Sequence, residues 1–210
     1  MKKQLSLLAA LAAASLAAAA DIALPAPTKT GGKPLQDALV ARQSLRAFSD
    51  QELTAQQLSD LLWSANGVSR DNGKRTAPSA RDKREIDIYA LTKDGAYLYE
   101  PGAETSTLKQ VNDADLRADS GLPGFSQAAP VTLIYVVNRA KQGMGAGEAS
   151  VKLGAVDIGF IGQNVYLWCA SENLATVFLG TLDAKKLAAS LKLADGDEAF
   201  FAQPVGFPKE

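Results

Sequence analysis

The chain has 210 residues, with 22 basic and 23 acidic side chains and a formal net charge of −1. That balance gives no electrostatic case for nucleic acid. It holds one cysteine and no histidine, which excludes an internal disulfide, Ser-His-Asp and Cys-His catalysis, His-ligated haem and histidine-containing zinc sites.

The chain opens MKKQLSLLAALAAASLAAAA. Lys2 and Lys3, the apolar stretch Leu5 to Ala17 and the small residues Ala18-Ala19-Ala20 read as a bacterial secretory signal peptide, residues 1–20, cleaved after Ala20. The competing reading is a retained anchor, but the stretch is short and alanine-rich for a span of about 20 strongly apolar residues. No stable membrane anchor is therefore expected, and the predicted location is the periplasm or the exterior. Removing Lys2 and Lys3 takes the formal charge from −1 to −3 and leaves a chain of one-domain size.

Residues 21–34, DIALPAPTKTGGKP, are rich in Pro and Gly and predict an extended N-terminal arm. Residues 35–210 read as a single domain. Leu35 to Val40 (LQDALV) predicts a short helix. ARQSLRAFSD follows, with Arg42, Ser44, Arg46 and Phe48 at every second position, so an extended backbone would turn all four to one side. Two readings of the residues stand. One is a solvated helix end with two surface arginines. The other is an anion site, because two guanidinium forks and a hydroxyl suit a phosphate.

ELTAQQLSDLLWSANGVSR predicts a helix capped by Thr54, striped by Leu58, Leu61, Leu62 and Ala65, and stopped at Asn66-Gly67. Ser69 to Lys83 is a polar loop. EIDIYALTKDGAYLYE alternates on both sides of Lys93-Asp94-Gly95, a β-hairpin pattern. Thr105 to Leu116 reads as helical, and Ser120 to Gln127 as a Gly/Pro loop. PVTLIYVVN (130–138) predicts a central strand, and GMGAG (143–147) a flexible turn. Residues 149–172 form the longest helix candidate, apolar nearly all round and so expected to be buried on most faces. LATVFLGT (174–181) reads as a strand, LDAKKLAASLKL as a helix capped by Asp183, and EAFFAQPVGFP as a last strand halted by its prolines. Strands and helices mix without βαβ regularity, which predicts an α+β fold. Cys169, in VYLWCA, reads as a buried thiol. Trp63 and Tyr166 could stack on a ligand, but packing is the preferred reading of both.

The opening motif, the loop TAPSARDKREIDIY and the stretch AVDIGFIGQNVYLWCASENLATVFLGTLD together resemble the FMN-dependent nitroreductase superfamily. The resemblance runs from Leu35 to Pro208, and LLWSANGVSR with GKRTAPSA looks most like its secreted branch, related to azoline oxidases. It implies a three-layer fold, a central mainly antiparallel sheet flanked by helices, in an intimate homodimer with FMN at the subunit interface. It further implies that Arg42, Ser44 and Arg46 grip the FMN phosphate and that Gln43 faces the ring. Pro78, Ser79 and Ala80 would pack over the flavin of the partner subunit. Asp82 stands where the family usually carries Asn, and an ionised Asp only accepts hydrogen bonds. Phe178, Leu179, Gly180 and Thr181 match the strand end whose backbone N–H groups face the flavin N5 and O4 edge. Gln127 and Lys209 are further cofactor candidates. Gln163 and Asn164, on the long helix, match polar positions of the family that a helix–helix hydrogen bond explains equally well.

The implied activity is an oxidoreductase with FMN as cofactor. It would draw on NAD(P)H or another donor and reduce a small acceptor such as a nitroaromatic or quinone. No catalytic side chain is needed, since the flavin carries the chemistry. The alternative is a non-catalytic flavin-binding or partner-binding protein of the same fold.

Overall fold

The computed structural model describes residues 20–121, 124–145 and 147–209. Residues 1–19 of the expected signal peptide and Ala146 of the GMGAG turn lie outside those described. The N-terminal arm begins with a two-residue strand, Ile22–Ala23 (β1). The Ser59 hydroxyl donates to the Pro25 carbonyl and the Thr28 N–H to Asp60, both at 2.6 Å, so the arm is fastened to the helix that holds Ser59 and Asp60. Helix α1 is Leu35–Ala41 and helix α2 is Ala55–Asn66. The Thr54 hydroxyl accepts from the Gln57 N–H at 3.1 Å, and the Gln57 side chain accepts from the Thr54 N–H at 3.0 Å. This reciprocal cap fixes the start of α2 where the sequence places it.

The predicted hairpin forms from β2, Ile86–Thr92, and β3, Gly95–Glu100, joined by Lys93-Asp94. Gly95 has φ +143°, and a Cβ there would lie 2.6 Å from the Asn112 carbonyl oxygen, so the turn requires glycine. The helix expected over Thr105 to Leu116 does not form. Thr107–Asn112 is instead a strand, β4, which pairs with β3 on one side and β1 on the other. Sheet pairing overrides helix propensity here, because it satisfies the open edge of β3 and buries Leu108 completely.

Two 3-10 turns, Arg117–Ser120 and Ser126–Ala128, lead to β5, Val131–Val137, buried at every position as its continuous apolar run predicts. A short helix that the sequence reading did not include, α3 (Arg139–Gln142), takes an Asn138 side-chain cap and ends at Gly143 with φ +66°. Helix α4 spans Glu148–Glu172. The strand expected over 174–181 shrinks to Ala175–Thr176 (β6), with one isolated bridge between Leu179 and Ala202. Helix α5, Ala184–Ser190, starts at the Asp183 cap. The last strand, β7, is Glu198–Gly206 and runs through Pro204 instead of stopping there. Pro204 lies just past the end of the β6 ladder, where a missing N–H is tolerated.

The seven strands form one sheet in the order β1-β4-β3-β2-β5-β7-β6, with every ladder antiparallel. One face packs Ile88, Leu133 and Tyr135 against Leu61 and Leu62 of α2 and Ile158, Ile161 and Val165 of α4. The other packs Tyr89, Ile134 and Val136 against Leu187 of α5 and Leu191 just after it. The result is the expected α+β fold of three layers. Helix α4 is less enclosed than its composition predicts. Val151, Val156 and Phe160 are exposed, as are Leu35, Leu39 and Val40 of α1. Among the described residues no helix is long and apolar enough to cross a membrane.

Candidate functional site

The chain leaves α1 at Arg42 and does not continue as one extended strand. Leu45 and Phe48, three residues apart, both enter a small cluster with Phe125, Ala129 and Ala175. Phe48 is therefore turned inward and does not share a side with Arg42, Ser44 and Arg46, which corrects the two-residue register. The backbone is held on both sides of that cluster. Leu45 N–H donates to the Thr176 carbonyl at 3.0 Å, Ser49 N–H to Phe207 at 2.9 Å and Lys209 N–H to Ala47 at 3.1 Å. The polar side chains stay outside: Arg42 is half-buried, and Gln43, Ser44 and Arg46 are exposed.

Tyr166 of α4 organises this segment. The Arg42 guanidinium carbon sits 5.1 Å from the centre of its ring, a favourable cation–π distance. Its hydroxyl lies 2.8 Å from Ser44 Oγ and accepts from the Phe178 N–H at 2.9 Å. Neither Arg42 nor Arg46 has a carboxylate partner among the described residues. Lys209 is held to the same segment by its backbone bond to Ala47, the residue after Arg46. A cleft of about 230 Å³ opens here, lined by Lys33, Gln43, Tyr166, Asn173 and Thr176 among others. Lys33 is already engaged, its Nζ donating to the Ala170 carbonyl at 2.8 Å and to Asn173 Oδ1 at 2.6 Å at the end of α4.

The strand end Phe178–Thr181 adjoins this cluster through Phe178. The Phe178 ring packs between Tyr135 and Phe201, with centroids at 5.8 and 4.9 Å. Of the four backbone donors expected to face a flavin, two are used within the chain: Phe178 N–H by Tyr166, and Leu179 N–H by the Ala202 carbonyl at 2.8 Å. Gly180 and Thr181, both exposed, have N–H groups without a partner among the described residues. At Gly180 a Cβ would meet nothing closer than the Phe201 ring at 3.7 Å. The chain's own packing does not demand a glycine there.

The Pro78 loop lies elsewhere. Pro78 and Asp82 are exposed, and Ser79 and Ala80 half-buried. Arg81, Asp82 and Arg84 have φ of 56°, 55° and 52°, a region few non-glycine residues adopt. Three contacts hold it. Ala80 N–H donates to Asp157 at 2.8 Å, Arg84 N–H donates to Ser79 Oγ at 2.9 Å, and Arg84 forks onto Asp82 at 2.9 and 2.8 Å. The Arg84 guanidinium holds the Asp82 carboxyl below its usual range. Asp82 is thus ionised, and its charge is offset within its own chain.

Glu85 follows directly. It is fully buried, and neither carboxyl oxygen has a hydrogen-bond partner. Burial pushes its carboxyl up from the usual range, and the neighbouring Asp157 pushes it the same way. Gln142, also beside it, is tied to Ser150 and accepts from Arg139 at 3.1 Å. Sequence reasoning passed over this cluster. Glu85 reads as the polar lead of a strand, and Asp157 as one acid in an apolar helix. It also left Tyr166 as packing, although Gly162, Tyr166, Ala170 and Asn173 share one helical face that surrounds a tyrosine with small and polar residues.

Asp157 and Tyr166 are nine residues apart on α4, about 13 Å along its axis. Within one chain, then, Arg42, Ser44 and Phe178 meet at Tyr166, and the Pro78–Asp82 loop does not join them. Gln127 is exposed and lines a second cleft of about 510 Å³ with Phe48, Arg117 and Lys209. Gln163 is exposed, and Asn164 donates to the Ala65 carbonyl at 3.4 Å, a helix–helix bond inside one chain. Trp63 donates to the Val68 carbonyl at 2.9 Å and pins the loop after α2. Cys169 is buried, and burial pushes its thiol well up, which makes it a poor nucleophile.

A family model described as the nitroreductase family matches residues 39–207. A protein of Methanocaldococcus jannaschii named as a candidate nitroreductase is 29% identical over 182 residues, covering 82% of this chain and 90% of that one. Among solved structures, a candidate nitroreductase from Ralstonia eutropha is 36% identical with a TM-score of 0.84, covering 90% of each chain. The NADPH:FMN oxidoreductase of Vibrio harveyi, solved with NAD+, shares the fold at 18% identity and a TM-score of 0.63, covering 84% of this chain and 69% of that one.

Proposed function

The chain belongs to the nitroreductase family, and from that premise we propose that it is an FMN-dependent oxidoreductase acting on a small acceptor such as a nitroaromatic or quinone. The observation that carries the reading is the cluster at Tyr166, where Arg42 lies over the ring without a carboxylate partner among the described residues and the exposed Ser44 hydroxyl meets the phenol, with Arg46 exposed and likewise unpaired two residues on. These donors fit a phosphate in charge and in hydrogen-bonding capacity. When bound, FMN would supply two-electron redox chemistry between NAD(P)H or another donor and the acceptor.

The chain's own residues would do the rest. Arg42, Ser44 and Arg46 anchor the phosphate, with Lys209 adding positive charge. The free N–H groups of Gly180 and Thr181 are placed to steady negative charge on a ring edge. Gly180 leaves room for a planar ring to approach. Asp82, paired with Arg84, does not oppose that charge as a lone carboxylate would. We also propose that the chain works as a homodimer, through exposed apolar side chains of α1 and α4, among them Leu35, Leu39 and Val40 and Val156 and Phe160. Such a dimer would let the Pro78 loop of one subunit cover the flavin of the other. Export by residues 1–20, and a place in the secreted branch related to azoline oxidases, complete the proposal.

The test is anaerobic. Protein expressed from Asp21 and loaded with FMN should lose its flavin absorbance on adding NADH or NADPH and regain it on adding a quinone or nitroaromatic. Light scattering should give the mass of two chains. Bleaching by neither nucleotide would reject the donor. Bound flavin that no electron source and acceptor can cycle would replace this reading with the non-catalytic one.

A further inference from the structure

Tyr166 holds three groups at once: the Arg42 guanidinium over its ring, Ser44 Oγ at 2.8 Å and the Phe178 N–H at 2.9 Å. A phenol oxygen donates one hydrogen bond and accepts others. The Phe178 N–H has no choice of role, so it fills an accepting position. The Tyr166 proton then has one partner near it, Ser44 Oγ. A phenol is a stronger donor than an alkyl alcohol, and an oxygen that accepts a hydrogen bond donates more strongly in turn. The polarity of the chain is therefore Phe178 N–H to Tyr166 oxygen, Tyr166 O–H to Ser44 oxygen. That order leaves the Ser44 proton free to donate elsewhere, and Ser44 is itself exposed.

We propose that Tyr166 is the positioning residue of the anion site: it fixes the direction of the Ser44 proton, holds Arg42 by its ring, and so makes the site select a phosphate-bearing flavin over one without phosphate. The inference rests on the FMN reading given above and adds to it a residue and a specificity. The tyrosine does not touch the phosphate. It acts through Ser44 and Arg42. The segment that carries the free Gly180 and Thr181 donors keeps its own anchor, because Leu179 N–H donates to the Ala202 carbonyl at 2.8 Å and Ala202 N–H to the Leu179 carbonyl at 3.0 Å.

The test compares two flavins on the dimer or monomer as purified. FMN and riboflavin are titrated into wild-type protein, Tyr166→Phe, Ser44→Ala and the double variant, following flavin fluorescence. Tyr166→Phe keeps the ring beneath Arg42 and removes only the hydroxyl. It should weaken FMN roughly fivefold to tenfold, the loss expected when a hydrogen bond to a charged group loses its orientation. Riboflavin affinity should stay within about twofold, since it has no phosphate to lose. The double variant should be no weaker than Ser44→Ala alone, because both changes remove one relay.

Equal loss of both flavins in Tyr166→Phe would show that the hydroxyl serves only the Phe178 strand end, and would overturn the proposal. Unchanged FMN affinity, or additive losses in the double variant, would overturn it too. Wild-type protein that binds no FMN would instead reject the cofactor reading itself, and the inference with it. Should Tyr166→Phe prove unstable, Ser44→Ala alone must still show the FMN-selective loss.

Discussion

Helix α4 carries polar clusters at two places, and they are built oppositely. Toward its N-terminal half, Asp157, Glu85, Gln142, Ser150 and Arg139 satisfy or bury one another, and Glu85 is fully enclosed. Toward its C-terminal half, Tyr166 gathers Arg42 and Ser44 but leaves Ser44 exposed and Arg42 half-buried without a carboxylate partner among the described residues. The closed cluster fixes structure: it pins a loop with three residues at positive φ to the helix through Ala80 and Asp157. The open cluster is incomplete as protein alone. A charged group left without a protein partner on an exposed segment is where a ligand of opposite charge gains most. On the proposed reading the open cluster is a site and the closed one a joint, and the contrast can be tested.

The comparison breaks most sharply at Arg42. Arg42→Ala should weaken FMN by roughly tenfold to a hundredfold, the range for losing charge-assisted hydrogen bonds, and should leave thermal stability almost unchanged. Flavin fluorescence titration and calorimetry read the two effects separately. A large stability loss without a binding loss would make the open cluster a joint as well.

Gly162 and Gly180 give the next contrast. A Cβ at Gly162 would come within 2.6 Å of the Phe178 ring, so Gly162→Ala should cost about 1–3 kcal/mol in urea unfolding. At Gly180 the nearest atom is 3.7 Å away, so Gly180→Ala should fold normally and weaken flavin binding severalfold. Normal flavin affinity in Gly180→Ala would remove the ring edge from the site.

The smallest effect concerns pH. Glu85 has its carboxyl raised above the ordinary 4.5 by burial, so the folded chain holds that proton more tightly than the unfolded chain. Stability from it is full below that value and is lost as pH rises through the folded pKa. Glu85→Gln cannot lose a proton. Its melting temperature relative to wild type should therefore rise as pH increases from 4.5. A difference that stays flat across that range would mean that Glu85 is not held protonated.

Much of this was legible in the sequence, for physical reasons that differ by element. The Thr54 cap, the Lys93-Asp94-Gly95 turn and the unbroken run of β5 are local signals, and each appears where predicted. TLKQVN was misread because its strand exists only through its neighbours, β3 and β1. LATVFLGT looked like one strand, but Phe178 gives its N–H to Tyr166, a contact no local pattern encodes. In the candidate site, the charges of ARQSLRAFSD stood out, while the inward turn of Phe48 and the role of Tyr166 depend on residues distant in the chain.

The most direct measurement is an equilibrium titration of the wild-type chain with FMN and with riboflavin at low and high salt. The account predicts about one FMN per chain, FMN binding at least roughly tenfold tighter than riboflavin, and a preference that shrinks as salt screens the arginines. Equal affinity for the two flavins, unaffected by salt, would contradict the assignment of Arg42, Ser44 and Arg46 to a phosphate.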